Sequence, residues 1–256
     1  MKLSVVMTAF NAERTIELAL QSVLSNTYRE LEVIVVDDGS DDGTADAVAN
    51  CHDARIRLVR VSRMGRSRAC NYAAAIAMGE YLAIADADDE SLPHRFAQQV
   101  EFLDRRPTVD VLGCQLIAVR EQQAWHLKYP ISHADIVGEL SEGRMPIAHA
   151  GVMFRRSWFV SAGGFNEDFE RAEDFEIYYR NRTSTVFAAL PTDVVRYNFR
   201  ILSFGRWRRD ESFVRRAQRI GRRGFVVELF GYLKYQIVVR LQMAGIRLGA
   251  RGGRRS

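Results

Sequence analysis

The sequence predicts an α/β fold with a mostly parallel, Rossmann-like central sheet flanked by helices, and three observations carry that expectation. Short apolar runs alternate with helix-period segments through the first third of the chain. Those runs are nearly continuous, as strands covered on both faces require. Three of the first four end in polar or acidic residues, where parallel α/β sheets hold their ligands.

Each element follows in order. Leu3 to Thr8 is a short strand, and about residues 13 to 25 form a helix with Ile16, Leu20 and Val23-Leu24 on one face. Leu31 to Val36 is a second buried strand, ended by Asp37-Asp38-Gly39-Ser40. Ser40 or Asp41 is placed to cap the next helix, which Thr44 opens. Ile56 to Val61 is a third strand, Arg68 to Met78 a helix closed by Gly79, and Tyr81 to Ala85 a fourth strand. The pattern then loosens. Leu92 to about Arg105 reads as helix, Val109 to Val119 and Gly151 to Phe154 as strands, and Ala172 to Arg180 as helix. Residues 120–148 are polar and show no clear period.

Composition excludes several classes. The chain has 256 residues, 47% hydrophobic and 27% charged, with a formal net charge of +4. From Arg196 to Ser256 there are 16 Lys+Arg against 3 Asp+Glu, so an acidic body carries a basic tail. Nucleic-acid-binding domains place their basic face on the fold itself, so no nucleic-acid partner is expected. Met1-Lys2 runs straight into Leu3-Ser4-Val5, and no secretory leader or spanning helix is expected. The three cysteines are far apart, which suits a reducing cytosol. No GxGxxG or GxxxxGK[ST] run follows any strand, against a nicotinamide enzyme or a P-loop NTPase. In the tail, Val226, Leu229, Phe230, Leu233, Ile237 and Leu241 fall at helical spacing among Arg and Lys. That pattern suits an amphipathic helix on an anionic bilayer, and equally a helix packed on the body or on a second copy.

Three acidic clusters carry chemistry. In Asp86-Ala87-Asp88-Asp89 the first and third side chains of an extended segment project to one side. Two converging carboxylates suit Mg²⁺ or Mn²⁺, which also bind diphosphate oxygens, while Asp89 is a candidate helix cap. Asp37-Asp38-Gly39-Ser40-Asp41 could accept the imide N–H of a uracil or thymine ring, with Phe10 stacked on the base. Glu173-Asp174-Phe175-Glu176 places carboxylates at a helix start, where the dipole favours them. Crowding there raises a carboxyl toward the range of a general base.

Taken in order, these pieces resemble the inverting glycosyltransferase family 2, with its GT-A fold. The resemblance runs from Ser4-Val5-Val6-Met7-Thr8-Ala9-Phe10-Asn11-Ala12-Glu13 through Val35-Val36-Asp37-Asp38-Gly39-Ser40-Asp41-Asp42-Gly43-Thr44 and Gly65-Arg66-Ser67-Arg68-Ala69-Cys70-Asn71. It continues through Asp86-Ala87-Asp88-Asp89, His149-Ala150-Gly151-Val152-Met153-Phe154, Gly163-Gly164-Phe165 and Glu173-Asp174. It implies a catalytic domain over residues 1–200, with a nucleotide-binding half at 1–89 and an acceptor half at 90–200. Residues 201–256 would form a helical basic extension. By this resemblance Thr8, Ala9, Phe10, Glu13, Asp38, Gly65, Arg68, Asp86, Ala87 and Arg200 would contact the nucleotide sugar. Asp88, with Asp86, would ligate Mn²⁺ or Mg²⁺, and Asp174, beside Glu173, would deprotonate the acceptor hydroxyl. The implied reaction moves one sugar, UDP- or dTDP-linked, to a glycan or lipid-linked glycan of a cell-surface polysaccharide. It would run in the cytoplasm or at the inner face of the plasma membrane.

Two departures stand out. Cys70 occupies the place of an Arg frequent in the family, with Arg66 and Arg68 as candidates to supply that charge. Arg200 occupies the place of a metal-binding His, and a guanidinium can contact diphosphate directly. The rivals are a degenerate nucleotide- or glycan-binding scaffold, against which Asp88 and Asp174 argue, and a sugar-phosphate nucleotidyltransferase. The latter needs a Gly-rich, Lys-containing first loop, which Thr8-Ala9-Phe10-Asn11 is not.

Overall fold

The computed structural model describes residues 1–201 and 203–218. The predicted tail helix from Val226 to Leu241 lies outside the described residues. Among the described residues nine strands, numbered in chain order as their ranges are given below, form one sheet in the order β3-β2-β1-β4-β8-β6-β9-β5, with β7 paired to β6.

The first half is the expected alternation. Strands β1 (Leu3–Ala9), β2 (Leu31–Asp38), β3 (Ile56–Val61) and β4 (Tyr81–Asp86) are parallel neighbours. All eight residues of β2 are buried, because helices cover both faces of the sheet. Helix α1 (Ile16–Leu24) buries Ile16, Ala19, Leu20 and Val23, an i, i+3, i+4, i+7 stripe. Helix α2 (Thr44–Ala49) is held at its start by Asp42, whose carboxylate accepts the Thr44 N–H at 3.0 Å; Ser40 and Asp41 do not cap it. Helix α3 (Arg66–Ile76) begins two residues before the expected Arg68. Gly79 is not a cap residue, since α3 has already ended at the extended Ala77. A Cβ at Gly79 would collide with the backbone N of Ser4, so glycine lets this connection pass against the start of β1.

The second half is mixed. Strand β5 (Glu90–Ser91) precedes α4 (Arg95–Arg105), so the helix starts later than expected. Strand β6 (Val111–Arg120) runs parallel to β9 (Phe187–Asn198), with register shifts between Gly113 and Leu116. Strand β8 (Met153–Arg155) is antiparallel to both β4 and β6 and joins the two parallel groups. Residues 120–148 are ordered: β7 (Gln123–Leu127) forms a hairpin on β6, and α5 (His133–Ser141) is capped by Ser132. Helix α6 (Arg156–Ser161) follows β8, and α7 (Glu173–Asn181) opens after Ala172, which adopts a left-handed backbone at φ +56°. Helix α8 (Phe204–Ala217) packs on α7. Among the described residues no helix is long and apolar enough to cross a membrane.

Candidate active site

The carboxyl ends of β1, β2 and β4 enclose a cleft of about 270 Å³. Of the residues expected there, Thr8, Ala9, Phe10, Asp38, Asp86, Ala87, Asp88 and Arg200 line it. Glu13, Gly65 and Arg68 do not. The Glu13 carboxylate accepts the Gly43 N–H at 3.3 Å and its N–H donates to Asp42, which ties the β1 and β2 loops together. Gly65 reaches the cleft only through Asp38, whose carboxylate accepts the N–H groups of Met64 at 2.7 Å and Gly65 at 3.0 Å. Arg68 turns outward to Glu167 at 2.8 Å. One residue not foreseen is Arg63. Its guanidinium lies over the Phe10 ring, 3.3 Å from the centroid, and 3.6 Å from Asp38.

The expected extended alternation stops at Asp86: residues 87–88 form a turn that the Asp89 N–H closes on the Asp86 carbonyl at 3.3 Å, and this turn brings Asp88 back to the side of Asp86. Asp86 and Asp88 face the cleft, while Asp89 points away, buried, and accepts the Asn198 N–H at 2.8 Å. Asp89 is therefore a strand tie rather than a helix cap. Burial, then the neighbouring Asp86 charge, pushes its carboxyl up to about 8. Asp86 accepts from Arg66 Nη2 at 2.5 Å; burial opposes its charge, but Arg66 holds it below the usual carboxylate range. Asp88 is raised by burial and by Asp86, and is paired with Arg200 at 2.9 Å. Two hard carboxylates whose mutual repulsion a cation relieves fit Mg²⁺ or Mn²⁺, which bind through one or two carboxylates, diphosphate and water. Among the described residues no cluster of three or more Asp, Glu, His or Cys side chains forms a self-sufficient cage.

A second cavity of about 680 Å³ adjoins the first and shares Arg66, Asp86 and Arg200 with it. It is lined by the polar side chains of Glu173, Asp174, His149 and Arg171 and by the apolar Leu116, Met145, Ile147 and Phe199. Burial, then the adjacent Glu173 charge, pushes the Asp174 carboxyl up to about 7. One Asp174 oxygen accepts the Phe175 N–H at 2.7 Å. Glu173 is ion-paired with Arg66, 3.0 Å from Nε, and Glu176 pairs with Arg180 at 2.8 Å. Of the two arginines left open by the sequence, Arg66 thus stands at the junction of the cavities. It lies one turn before the buried Cys70, on the same face of α3. His149 sits in the one-turn 3₁₀ helix His149–Gly151. Burial pushes its imidazole down to about 3, and neither shielded ring nitrogen has a hydrogen-bond partner among the described residues. No sequence signal beyond its place in the His149-Ala150-Gly151 run marks it.

The Gly-Gly-Phe run anchors this end of the site. Asn71 on α3 donates to the Phe165 carbonyl and accepts the Phe165 N–H, both at 2.9 Å. Gly164 has φ +66°, and a Cβ there would stand 2.7 Å from the Asn71 oxygen. Ser67 donates to the Phe169 carbonyl at 2.8 Å. Helix α3 and the loop that leads to α7 are thereby held together.

A parallel α/β half with acidic loops at its strand ends, extended by a mixed half that carries the second cavity, is the GT-A architecture. The chain belongs to Glycosyl transferase family 2, whose sequence profile matches residues 4–161. EpsE of Bacillus subtilis (strain 168) is 32% identical over 190 residues, covering 70% of this chain and 66% of EpsE. The UDP-Glc:alpha-D-GlcNAc-diphosphoundecaprenol beta-1,3-glucosyltransferase WfaP of Escherichia coli is 34% identical over 102 residues, covering 40% of this chain and 41% of WfaP. The chain thus spans less than two thirds of the length of both relatives. Among solved structures, the mannosyltransferase PcManGT from Pyrobaculum calidifontis, in complex with GDP-Man and Mn²⁺, superposes with a TM-score of 0.65 at 25% identity. That match covers 96% of this chain and 71% of PcManGT.

Proposed function

We propose that this chain is an inverting glycosyltransferase that moves one sugar from a nucleotide-diphosphate donor, UDP- or dTDP-linked, to a hydroxyl of a glycan or lipid-linked glycan. The observation that carries this reading is the meeting of the two cavities at Arg66, Asp86 and Arg200. A nucleotide in the first cleft points its diphosphate at those residues, and an acceptor in the second lies beside Asp174. Asp174, with its carboxyl raised to about 7, is suited to take the hydroxyl proton near neutral pH. Arg66 and Arg200 face the charge that builds on the departing diphosphate. Asp88, with Asp86, would hold Mn²⁺ or Mg²⁺, which when bound supplies further neutralisation of that charge. A single base and no enzyme nucleophile suit one displacement with inversion at the anomeric carbon.

A role in surface polysaccharide synthesis is supported by the lipid diphosphate acceptor in the name of WfaP. The basic stretch after Arg196 would favour work at an anionic membrane face. The test is nucleotide release from UDP-, dTDP- and GDP-sugars, with and without Mn²⁺, for the native chain and Asp174→Asn. Loss of Mn²⁺-stimulated release in Asp174→Asn supports the reading. Full activity of that variant overturns the base assignment, and no binding of any nucleotide favours a scaffold.

A further inference from the structure

The base of a nucleotide in the first cleft would meet Phe10 as a stacking ring and Asp38 as an acceptor for an imide N–H, the two contacts expected from sequence. One side chain touches both. Arg63, in the connection between β3 and α3, lays its guanidinium over the Phe10 ring, 3.3 Å from the centroid, and its Nε is ion-paired with Asp38 at 3.6 Å. A planar cation thus lies on the surface that a planar base needs.

The site lets this pair part. Phe10 follows β1 and Arg63 follows β3, so neither is bound into a strand. Phe10 is 45% exposed and the Arg63 side chain 55%. The backbone beside Arg63 is fixed, because the buried Asp38 accepts the N–H groups of Met64 and Gly65. The side chain is therefore free to move on a fixed root. The other cations of the cleft are engaged elsewhere, Arg66 by Asp86 and Arg200 by Asp88, at the end where a diphosphate would lie. Magnitudes decide what a base does here. An exposed cation–π contact is worth about two- to fivefold in an equilibrium, and a base stacked on an aromatic ring about five- to 150-fold. A base therefore takes the Phe10 face from Arg63. The displaced guanidinium then finds the outer face of the base about 3.5 Å further out, within reach of its long side chain. Shielded from water there, the contact is worth about thirtyfold, more than the exposed one it replaces.

We propose, on the reading of the first cleft as the nucleotide site, that Arg63 and Phe10 are a clamp that closes on the two faces of the nucleobase, with Asp38 at its edge. Arg63 is thereby a base-binding residue, and its charge serves the base rather than the diphosphate. A guanidinium that a base merely expels would act in the opposite sense, and its removal would tighten binding.

The experiment is titration calorimetry of the full chain with UDP, dTDP, GDP and inorganic pyrophosphate, all with Mg²⁺, for the native chain, Arg63→Ala and Arg63→Lys. Arg63 is exposed, so both variants keep the fold. Arg63→Ala should weaken the bound nucleotide about five- to fifteenfold and leave pyrophosphate unchanged. Arg63→Lys, which keeps the charge without the plane, should not restore the native affinity. Intermolecular ¹H nuclear Overhauser effects should join the Arg63 Cδ protons and the Phe10 ring to the base protons of the same nucleotide. Nucleotide binding that is unchanged or tighter in Arg63→Ala, an equal loss for pyrophosphate, full rescue by lysine, or contacts from Phe10 alone overturns the clamp. A native chain that binds none of the three nucleotides overturns the nucleotide reading, and the clamp with it. A clamp that fails in a chain that does bind them leaves that reading intact.

Discussion

Replacing Asp174 with Asn should slow transfer severely and yet stabilise the fold, and the gain should depend on pH. In the folded chain the Asp174 carboxyl is raised from 3.8 to about 7, by burial first and by Glu173 second. Between those two values the unfolded chain releases a proton that the folded chain retains. The native fold therefore loses stability, relative to a variant without this group, as pH rises from about 4 to 7, and the loss is complete above pH 7. A shift of about three units corresponds to about 2 to 4 kcal/mol once coupling to Glu173 is allowed for. An amide at this position still accepts the Phe175 N–H, which Asp174 now does at 2.7 Å, so the local turn is kept. Urea denaturation of both proteins at pH 4 and pH 8 measures the effect. Asp174→Asn should match the native chain at pH 4 and exceed it by about 2 to 4 kcal/mol at pH 8, a gain in Tm on the order of 5–10 °C. Equal differences at the two pH values would refute the claim that a buried, charge-crowded carboxyl is the source.

Other predictions follow from the same geometry. The pH profile of kcat should show an acid limb near pH 7, rising as Asp174 loses its proton, and Asp174→Asn should lower kcat by about 10²–10⁴. Arg200→Ala removes the partner 2.9 Å from Asp88, so Mn²⁺ binding followed by electron paramagnetic resonance should tighten while the donor KM rises. Unchanged metal affinity would show that Arg200 and the cation do not share Asp88. Gly164→Ala places a Cβ 2.7 Å from the Asn71 oxygen at φ +66°, and should cost about 1–3 kcal/mol in denaturation midpoint, with α3 and the 163–169 loop loosened together.

The parts legible in sequence are those whose physics is local. Strands β1, β2 and β4 are continuous apolar runs because both their faces are covered, and the acidic ends of β2 and β4 follow directly. The meeting of Asp86 and Asp88, expected from extended spacing, is made by a turn at residues 87–88, and Asp174 is marked by its acidic neighbours at a helix start. Strand β7 is an edge strand with only Trp125 buried, so it shows no buried stripe. Strand β9 is interrupted by Pro191 and by its shifted register on β6. The division between Arg66 and Arg68 could not be read either. They are two apart at the start of one helix, and only the docking of the 163–169 loop on Asn71 and Ser67 decides which faces the cavities. Glu13 and Gly65 belong to the family pattern but serve the cleft indirectly, by bracing its loops. Arg63 over Phe10 left no local signal, because the pair is made by two different loops.

The central claim is that Asp174 drives a single inverting displacement on a nucleotide sugar. Its most direct test is ¹H NMR of the sugar released or transferred from an α-linked UDP- or dTDP-sugar in the presence of Mn²⁺, read before mutarotation. The expected result is a β-configured first product from the native chain, formed at least about a hundredfold more slowly by Asp174→Asn. An α-configured first product, or undiminished turnover by Asp174→Asn, would contradict it.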